Sequence, residues 1–336
     1  MVVLVPALRL QSTFCLRRRL WLAAAGALPF AHRVRADRPE SIAFVNPGGV
    51  GGSADKIARV AADALAEILE TKIVVSNMPG DGGTIGTRFI AGSKPDGYTL
   101  GLGISVPMIA RQLLGPGTPY NPIEDFEWLA ILGSYPNAVV VSARRPERSF
   151  AELMASARRA ATPLNYGTYG IGSAGHMAGS FLRLEQSANV VHRPLEQPDD
   201  GYAQLASGQI DFLFDGVPNA LEAVPIGGHR ILAVTSAMRA PALPDTPAFG
   251  EMWPREYFVV WVGVVAPRGL SPEVYSRLAA AIGVMLLGSR YEQALRSTGM
   301  AYLGLNGAKA RTFVDDEIVR TAKLIARLGA EGSRRP

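Results

Sequence analysis

Cysteine is almost missing from this 336-residue chain: there is one, Cys15, and only four histidines. Cys15 falls within the first 36 residues and has no Leu-x-Gly pattern before it that would mark lipid attachment. From residue 37 onward, therefore, neither disulfides nor thiol chemistry are available. His176, His192 and His229 lack metal-ligand spacing, so no metal site is expected. Acidic residues are absent from Met1 to Ala36, where the cluster Arg17-Arg18-Arg19 leads into an apolar run, Leu20–Phe30. That is the layout of an export signal, with cleavage expected after Val34-x-Ala36. Arg17-Arg18-x-Leu20 leaves both the general secretory and the twin-arginine routes open. Long apolar runs are missing as well, and nothing reaches the roughly 18 residues a membrane helix needs.

The missing leader acids change the meaning of the charge. Without the six leader arginines, a formal charge of +5 becomes about −1 for residues 37–336. A nucleic-acid role loses its basic surface. About 300 residues is ordinary for two domains.

What is present is an alternation of short apolar runs and helical stripes. Strands are expected at 41–45, 72–75, 98–102, 138–142, 164–166, 189–192, 210–214, 231–235 and 259–266. Ile57, Val60, Ala61, Ala64, Leu65 and Ile68 make one helical stripe. Ser149-x-x-Glu152 reads as a capping box, Ser271-Pro272 as a helix start, and Gly329 as the stop of a final helix. The alternation implies an α/β fold with largely parallel sheets. If the runs at 138–142 and 259–266 are crossings, the chain makes two lobes with a cleft between them. Domain one would then be 37–138 with 260–336, and domain two 139–259. The aromatic group Trp253, Tyr257, Phe258 and Trp261 is expected to pack the returning strand.

Three glycine-rich turns each follow a strand and open a helix: NPGGVGGSAD (46–55), NMPGDGGTIG (77–86) and YGTYGIGSAGHMAG (166–179). A helix start offers unpartnered N–H groups and the positive end of a dipole, and glycine lets a ligand approach the backbone. The third turn supports other readings. Gly170-x-Gly172-x-x-Gly175 matches the dinucleotide fingerprint, with Glu196 21 residues beyond Gly175 as a ribose acid, which would make the chain an exported NAD(P)-dependent oxidoreductase. Against this, the preceding strand is short and Glu196 lies in a proline-bounded loop. A Ser173/His176 hydrolase would need G-x-S-x-G, but Ile171 holds the first glycine's place.

In their order, NPGGVGGSADKIAR, VVSNMPGDGGTIGTRFIAGSKPDGYTL, PYNPIEDF, PNAVVV, LNYGTYGIGSAGHMAG, LASGQIDFLFD, LAVTSAMRAPALPDTPAFGE and WVGVVAP resemble the tripartite tricarboxylate transporter substrate-binding proteins, the Bug family. The resemblance runs from about Ser41 to Gly329. It implies a two-lobed type II periplasmic-binding-protein fold, with a mostly parallel sheet in each lobe. It also implies a monomer in the periplasm of a Gram-negative bacterium that hands a small organic carboxylate to membrane permease subunits. No chemistry, cofactor, metal or nucleic acid is implied. Carried over by motif, the ligand rests on Gly51, Gly52 and Ser53 of loop one, Gly82 of loop two, and Thr168, Gly170, Gly172, Ser173 and His176 of loop three. Asp215 faces the cleft, either to meet an ammonium or hydroxyl or to cap a helix, and Asp55 caps loop one. The chain departs from the family pattern where Ser76, Met78 and Asp81 replace the usual Glu, Arg and Ala, and where Arg193–Gln197 replaces Val-Pro-Tyr-Lys-Gly. Those changes favour a monocarboxylate, an amino acid or a neutral amide over a di- or tricarboxylate.

Overall fold

A computed structural model describes residues 41–114, 117–195 and 198–328. The export signal, Cys15, Glu196, Gln197 and the stop at Gly329 lie outside the described residues. The strands are β1 (Ser41–Asn46), β2 (Lys72–Asn77), β3 (Thr99–Ile104), β4 (Phe126–Ser142), β5 (Leu164–Thr168), β6 (Val190–Pro194), β7 (Phe212–Gly216), β8 (His229–Val234), β9 (Val259–Pro267) and β10 (Ala301–Asn306). The helices are α1 (Ser53–Leu69), α2 (Thr84–Ala91), α3 (Arg111–Leu114), α4 (Phe150–Arg159), α5 (Ala174–Leu184), α6 (Pro198–Ser207), α7 (Val217–Gly227), α8 (Phe249–Met252), α9 (Pro272–Leu287), α10 (Ser289–Ser297) and α11 (Gly307–Leu328).

Two sheets share the long strand β4. In the first lobe the order is β2-β1-β3-β9-β4, with β10 on β4; in the second, β4 continues into β7-β5-β6 and also pairs β8. The outer pairs β1–β2, β1–β3, β5–β6 and β5–β7 are parallel. Each antiparallel pair involves β4 or β9, but only β4 pairs strands of both sheets; β9, expected from sequence as a second crossing, pairs β3 and β4 of the first sheet alone. The hand-over falls at one residue: Pro136 still faces Val259 of β9, and the next residue, Asn137, faces Gly216 of β7. Proline cannot donate to a ladder, so a change of partner sheet is a place where it is tolerated. For the same reason the sequence reads only 138–142 as strand: Pro136 breaks the signal upstream. β10 escapes notice because it is short and irregular, its register against β4 shifting between Tyr302 and Leu305.

Apolar periodicity accounts for the helices. Ile57, Ala58, Ala61, Ala62 and Leu65 of α1 are fully buried against the first sheet, while α5 buries Ala178, Phe181 and Leu182 against the second. β9 is buried along almost its whole length, as a strand covered on both faces should be. The returning aromatics pack as expected. Trp253 lies against Phe150, Phe181 and Phe249, and Trp261 packs at a tilt of 59° against Trp128 and donates from Nε1 to Glu317 at 3.0 Å. No helix among the described residues is long and apolar enough to cross a membrane.

At α4, Ser149 Oγ accepts from the Glu152 amide at 3.2 Å, while the Glu152 carboxylate accepts from the Arg148 amide rather than from Ser149. Ser149→Ala removes one cap bond, and a loss of about 1 kcal/mol in urea unfolding is expected.

Candidate functional site

The carboxyl ends of β1, β2, β3, β5 and β7 point toward one region, and the loops that follow them surround a cavity of 620 Å³. Open α/β sheets place ligands at such strand ends. In loop one, Gly52 is the N-cap of α1 with extended backbone and no side-chain cap. Asp55, one turn into the helix, shapes the loop from behind. Its carboxylate accepts from the Gly51 amide at 2.9 Å, from Asn77 Nδ2 at 3.0 Å and from Arg59 Nε at 3.2 Å. Burial acts to raise the Asp55 pKa, but these donors together outweigh it and hold the carboxyl below its ordinary value. Asp55 therefore braces loop one and is not among the residues lining the cavity.

Loop two runs through left-handed backbone at Asp81 (φ 46), Gly82 (φ 61) and Gly83 (φ 93) before α2. A Cβ at Gly83 would lie 3.1 Å from Pro107 Cγ, so glycine permits the loop to sit against the segment after β3. That segment, Val106–Ala110, is a π-turn leading into α3, and the Tyr120 hydroxyl ties it down by donating to the Pro107 carbonyl at 2.8 Å. Such turns recur at functional sites.

Loop three is braced by its own side chains. Ser173 Oγ caps α5 by accepting from the His176 amide at 3.1 Å, and His176 Nδ1 accepts from the Gly172 amide at 3.2 Å. The His176 ring packs on His192 with centroids 4.6 Å apart, and Thr168 Oγ1 lies 2.6 Å from His192 Nε2. Burial, with Arg183 adding repulsion, lowers His176 to about 4; burial and then His176 lower His192 to about 3. Both rings are neutral at pH 7, so neither supplies a cation.

Of the residues expected from sequence to touch ligand, Gly52, Ser53, Gly82, Gly170, Ser173 and Asp215 line the cavity. Gly51, Thr168, Gly172 and His176 do not. Gly51 gives its amide to Asp55, Thr168 is buried against His192, and Gly172 and His176 bond one another. A Cβ on Gly172 would meet Leu114 at 3.0 Å and Ala110 at 3.4 Å, so its open face is occupied by the first lobe. Gly175, the last glycine of the dinucleotide fingerprint, serves packing: its Cβ would fall 2.6 Å from Phe214 Cβ.

Sequence reasoning missed the start of α7. Gly216 is its N-cap, again without a side-chain cap, and lies directly across from α1: a Cβ there would be 2.4 Å from Ser53 Oγ. The signal was present in Asp215-Gly216-Val217-Pro218, a glycine before a proline at the second helical position. The first turns of α1, α2, α5 and α7 thus all reach the cavity, through Ser53 and Ala54, Gly83, Ala174 and Gly175, and Gly216. Also missed were Tyr135 and Asn137 of β4, Val260 of β9, and Ile104, Val106 and Pro107 around the π-turn.

The cavity's charge is one-sided. Asp81 and Asp215 line it, and among the described residues no lysine, arginine or histidine does. Asp215 is buried at the end of β7, where its Oδ2 accepts from Tyr202 Oη at 2.8 Å and Asn219 Nδ2 at 2.6 Å. Burial dominates and raises its pKa to about 6, against the lowering effect of Tyr202, Asn219, the Gly216 amide and Tyr169. The arrangement offers helix-end dipoles to an anionic group and one buried carboxylate to a donor. Across the cleft the lobes touch where Lys56 of α1 donates to the Pro218 carbonyl at 3.2 Å and pairs with Glu222 at 2.7 Å.

A family model described as the tripartite tricarboxylate transporter family receptor matches residues 57–330. The chain is 29% identical over 315 residues to protein BugT of Bordetella pertussis, covering 93% of this chain and 96% of that one. Among solved structures it resembles an R. palustris protein with adipate (TM-score 0.80, 27% identity, 87% of this chain and 98% of that one). It also resembles MatC from Rhodopseudomonas palustris with bound malate (TM-score 0.74, 26% identity, 85% and 98%).

Proposed function

Since this chain belongs to the tripartite tricarboxylate transporter receptor family, we propose that it is the extracytoplasmic solute-binding component of such a transporter. It takes one small organic acid, amino acid or related amide into the cavity between its lobes and presents it to the membrane permease subunits. Residues 1–36 carry it to the periplasm, and it works there as a monomer without catalysis. We take the lobes to divide at 138/139 and 259/260, close to the Pro136/Asn137 change of partner in β4 and to the start of β9.

One observation carries this reading: the N-terminal ends of four helices converge on one cavity that, among the described residues, no basic side chain lines. Each helix start is equivalent to roughly half a positive charge at low dielectric, which suits one carboxylate without a fixed cation. The relatives that hold adipate and malate, both dicarboxylates, support an organic acid as ligand, while the restriction to a single carboxylate rests on the charge of this cavity. Gly52, Ser53, Gly170 and Ser173 are assigned to the carboxylate, and Asp215 to a donor at the other end. The oxidoreductase alternative finds less support, because the second glycine of the fingerprint, Gly172, gives its amide to His176 Nδ1 and faces Leu114 and Ala110 instead of the cavity.

A ligand that binds only the folded protein adds about 2.7 kcal/mol of stability at a hundredfold excess over its dissociation constant. Native mass spectrometry of freshly purified protein is expected to show a small acid or amide, and calorimetry to confirm its binding. Bound nucleotide, or citrate held about tenfold or more tightly than any monocarboxylate, amino acid or amide, would overturn the reading.

A further inference from the structure

Three cations near the cavity are each tied to an acid. Lys56 pairs with Glu222 and Arg59 with Asp55. The third, Arg111, is the instructive one. It opens α3 directly after the π-turn, and its neighbours Ala110 and Leu114 are the residues that meet Gly172 of loop three. Its stem lies under loop two: a Cβ on Gly82, which lines the cavity, would be 3.4 Å from both Arg111 Cδ and Nε. Arg111 is thus one residue-thickness from the ligand space without lining it.

What keeps it there is Asp81. Its carboxylate binds the Arg111 guanidinium, and Asp81 itself lines the cavity. The acid occupies left-handed backbone at φ 46, a conformation that favours glycine and asparagine. We infer that Asp81 is a charge gate that selects ligands with a single carboxylate, by holding Arg111 against loop two and so denying a second carboxylate its counter-ion. This rests on the cavity being the ligand site.

The physical case is a balance of charges. One carboxylate is met by the helix ends. A second one in the same cavity finds Asp81 at the rim and Asp215 in the wall, and among the described residues no cation lines the space between them. Buried Asp215 repels a like charge more strongly than it would in water, while Asp81, with 59% of its side chain exposed, acts mainly by withholding Arg111. Removing the Asp81 charge does two things together: it takes one repulsive acid from the rim and leaves Arg111 available to a ligand.

Calorimetry at low ionic strength on matched pairs of equal length tests this: butanoate and succinate, hexanoate and adipate, heptanoate and pimelate. The parent is expected to prefer the monocarboxylate of at least one pair. Asp81→Asn, which keeps a residue suited to the left-handed turn, is expected to raise dicarboxylate affinity about tenfold or more while moving the monocarboxylate by less than about threefold. Arg111→Gln on that background is expected to remove the gain. An unchanged ratio in Asp81→Asn, or a gain that persists without Arg111, overturns the gate and leaves the cavity reading standing. Binding of the monocarboxylate by Gly216→Leu at parental affinity overturns the cavity reading and the gate with it; binding of none of these acids by the parent overturns the gate alone.

Discussion

Gly216→Leu is expected to weaken ligand binding by more than about a hundredfold, equivalent to about 2.8 kcal/mol, while the protein still unfolds in one cooperative step. Gly216 has φ −57 and ψ 133, values open to any L-residue, so the backbone does not object. Its surroundings do. A Cβ would lie 2.4 Å from Ser53 Oγ, 2.9 Å from Tyr135 Cε2 and 3.2 Å from Ser53 Cβ. Ser53 Oγ can rotate away, but Ser53 Cβ is fixed by the first turn of α1 and the Tyr135 ring is buried at the lobe junction, so the longer leucine side chain finds no room. The remaining escape is for the lobes to separate. Closing on a ligand is a population shift that its contacts to both lobes must sustain, and a leucine wedge removes the closed population. The damage is confined to the cleft, so the circular dichroism spectrum and the urea m-value are expected to match the parent. Calorimetry showing parental affinity would mean that the ligand does not sit in the cavity between Ser53 and Gly216, and would overturn the cavity reading.

Asp215→Asn is expected to stabilise the protein at neutral pH by about 1–3 kcal/mol and to reduce affinity for a ligand that presents an ammonium. The folded-state pKa of Asp215 is raised from 3.8 to about 6. Below 3.8 the group is protonated in both states and pH has no hold on it. Between 3.8 and 6 the folded protein keeps a proton that the unfolded chain has released, so stability falls as pH rises. Above 6 the whole penalty is present, about 3 kcal/mol at 1.36 kcal/mol per unit for this buried group. Asparagine carries no charge to desolvate and can still accept from Tyr202. Thermal melts of parent and variant should therefore agree near the acid end and separate progressively up to about pH 6, with the variant above. A variant equally or less stable at neutral pH, with the parental pH slope, would show that Asp215 ionises there without penalty. Gain of stability with loss of binding is what a strained functional acid predicts.

Much of the fold was legible because its cause is local. Runs of successive apolar residues such as those in β9 declare a strand covered on both faces, and the α1 stripe declares its buried side. Ser149, Ser173 and Ser271 cap α4, α5 and α9 through bonds three residues long. The three glycine-rich loops were visible for the same reason, and they did turn out to face one cavity.

The long strand β4 was only half legible, since Pro136 speaks against a strand locally and is allowed by a change of partner that occurs far away in sequence. Which loop residues face inward was not legible at all. Thr168 and His176 carry the same polar signature as Ser173, yet His192, 16 residues beyond His176, draws both of them behind the loop. The Arg111–Asp81 pair spans 30 residues, and the Ser53–Gly216 contact joins opposite lobes. Sequence by itself determined the α/β class, the helix starts and the three anion-ready turns, because capping, periodicity and turn chemistry act over a few residues. Tertiary structure alone decided which amides and acids face the cavity and which cations are kept out of it, because those outcomes depend on side chains that only the closed fold brings within reach of one another.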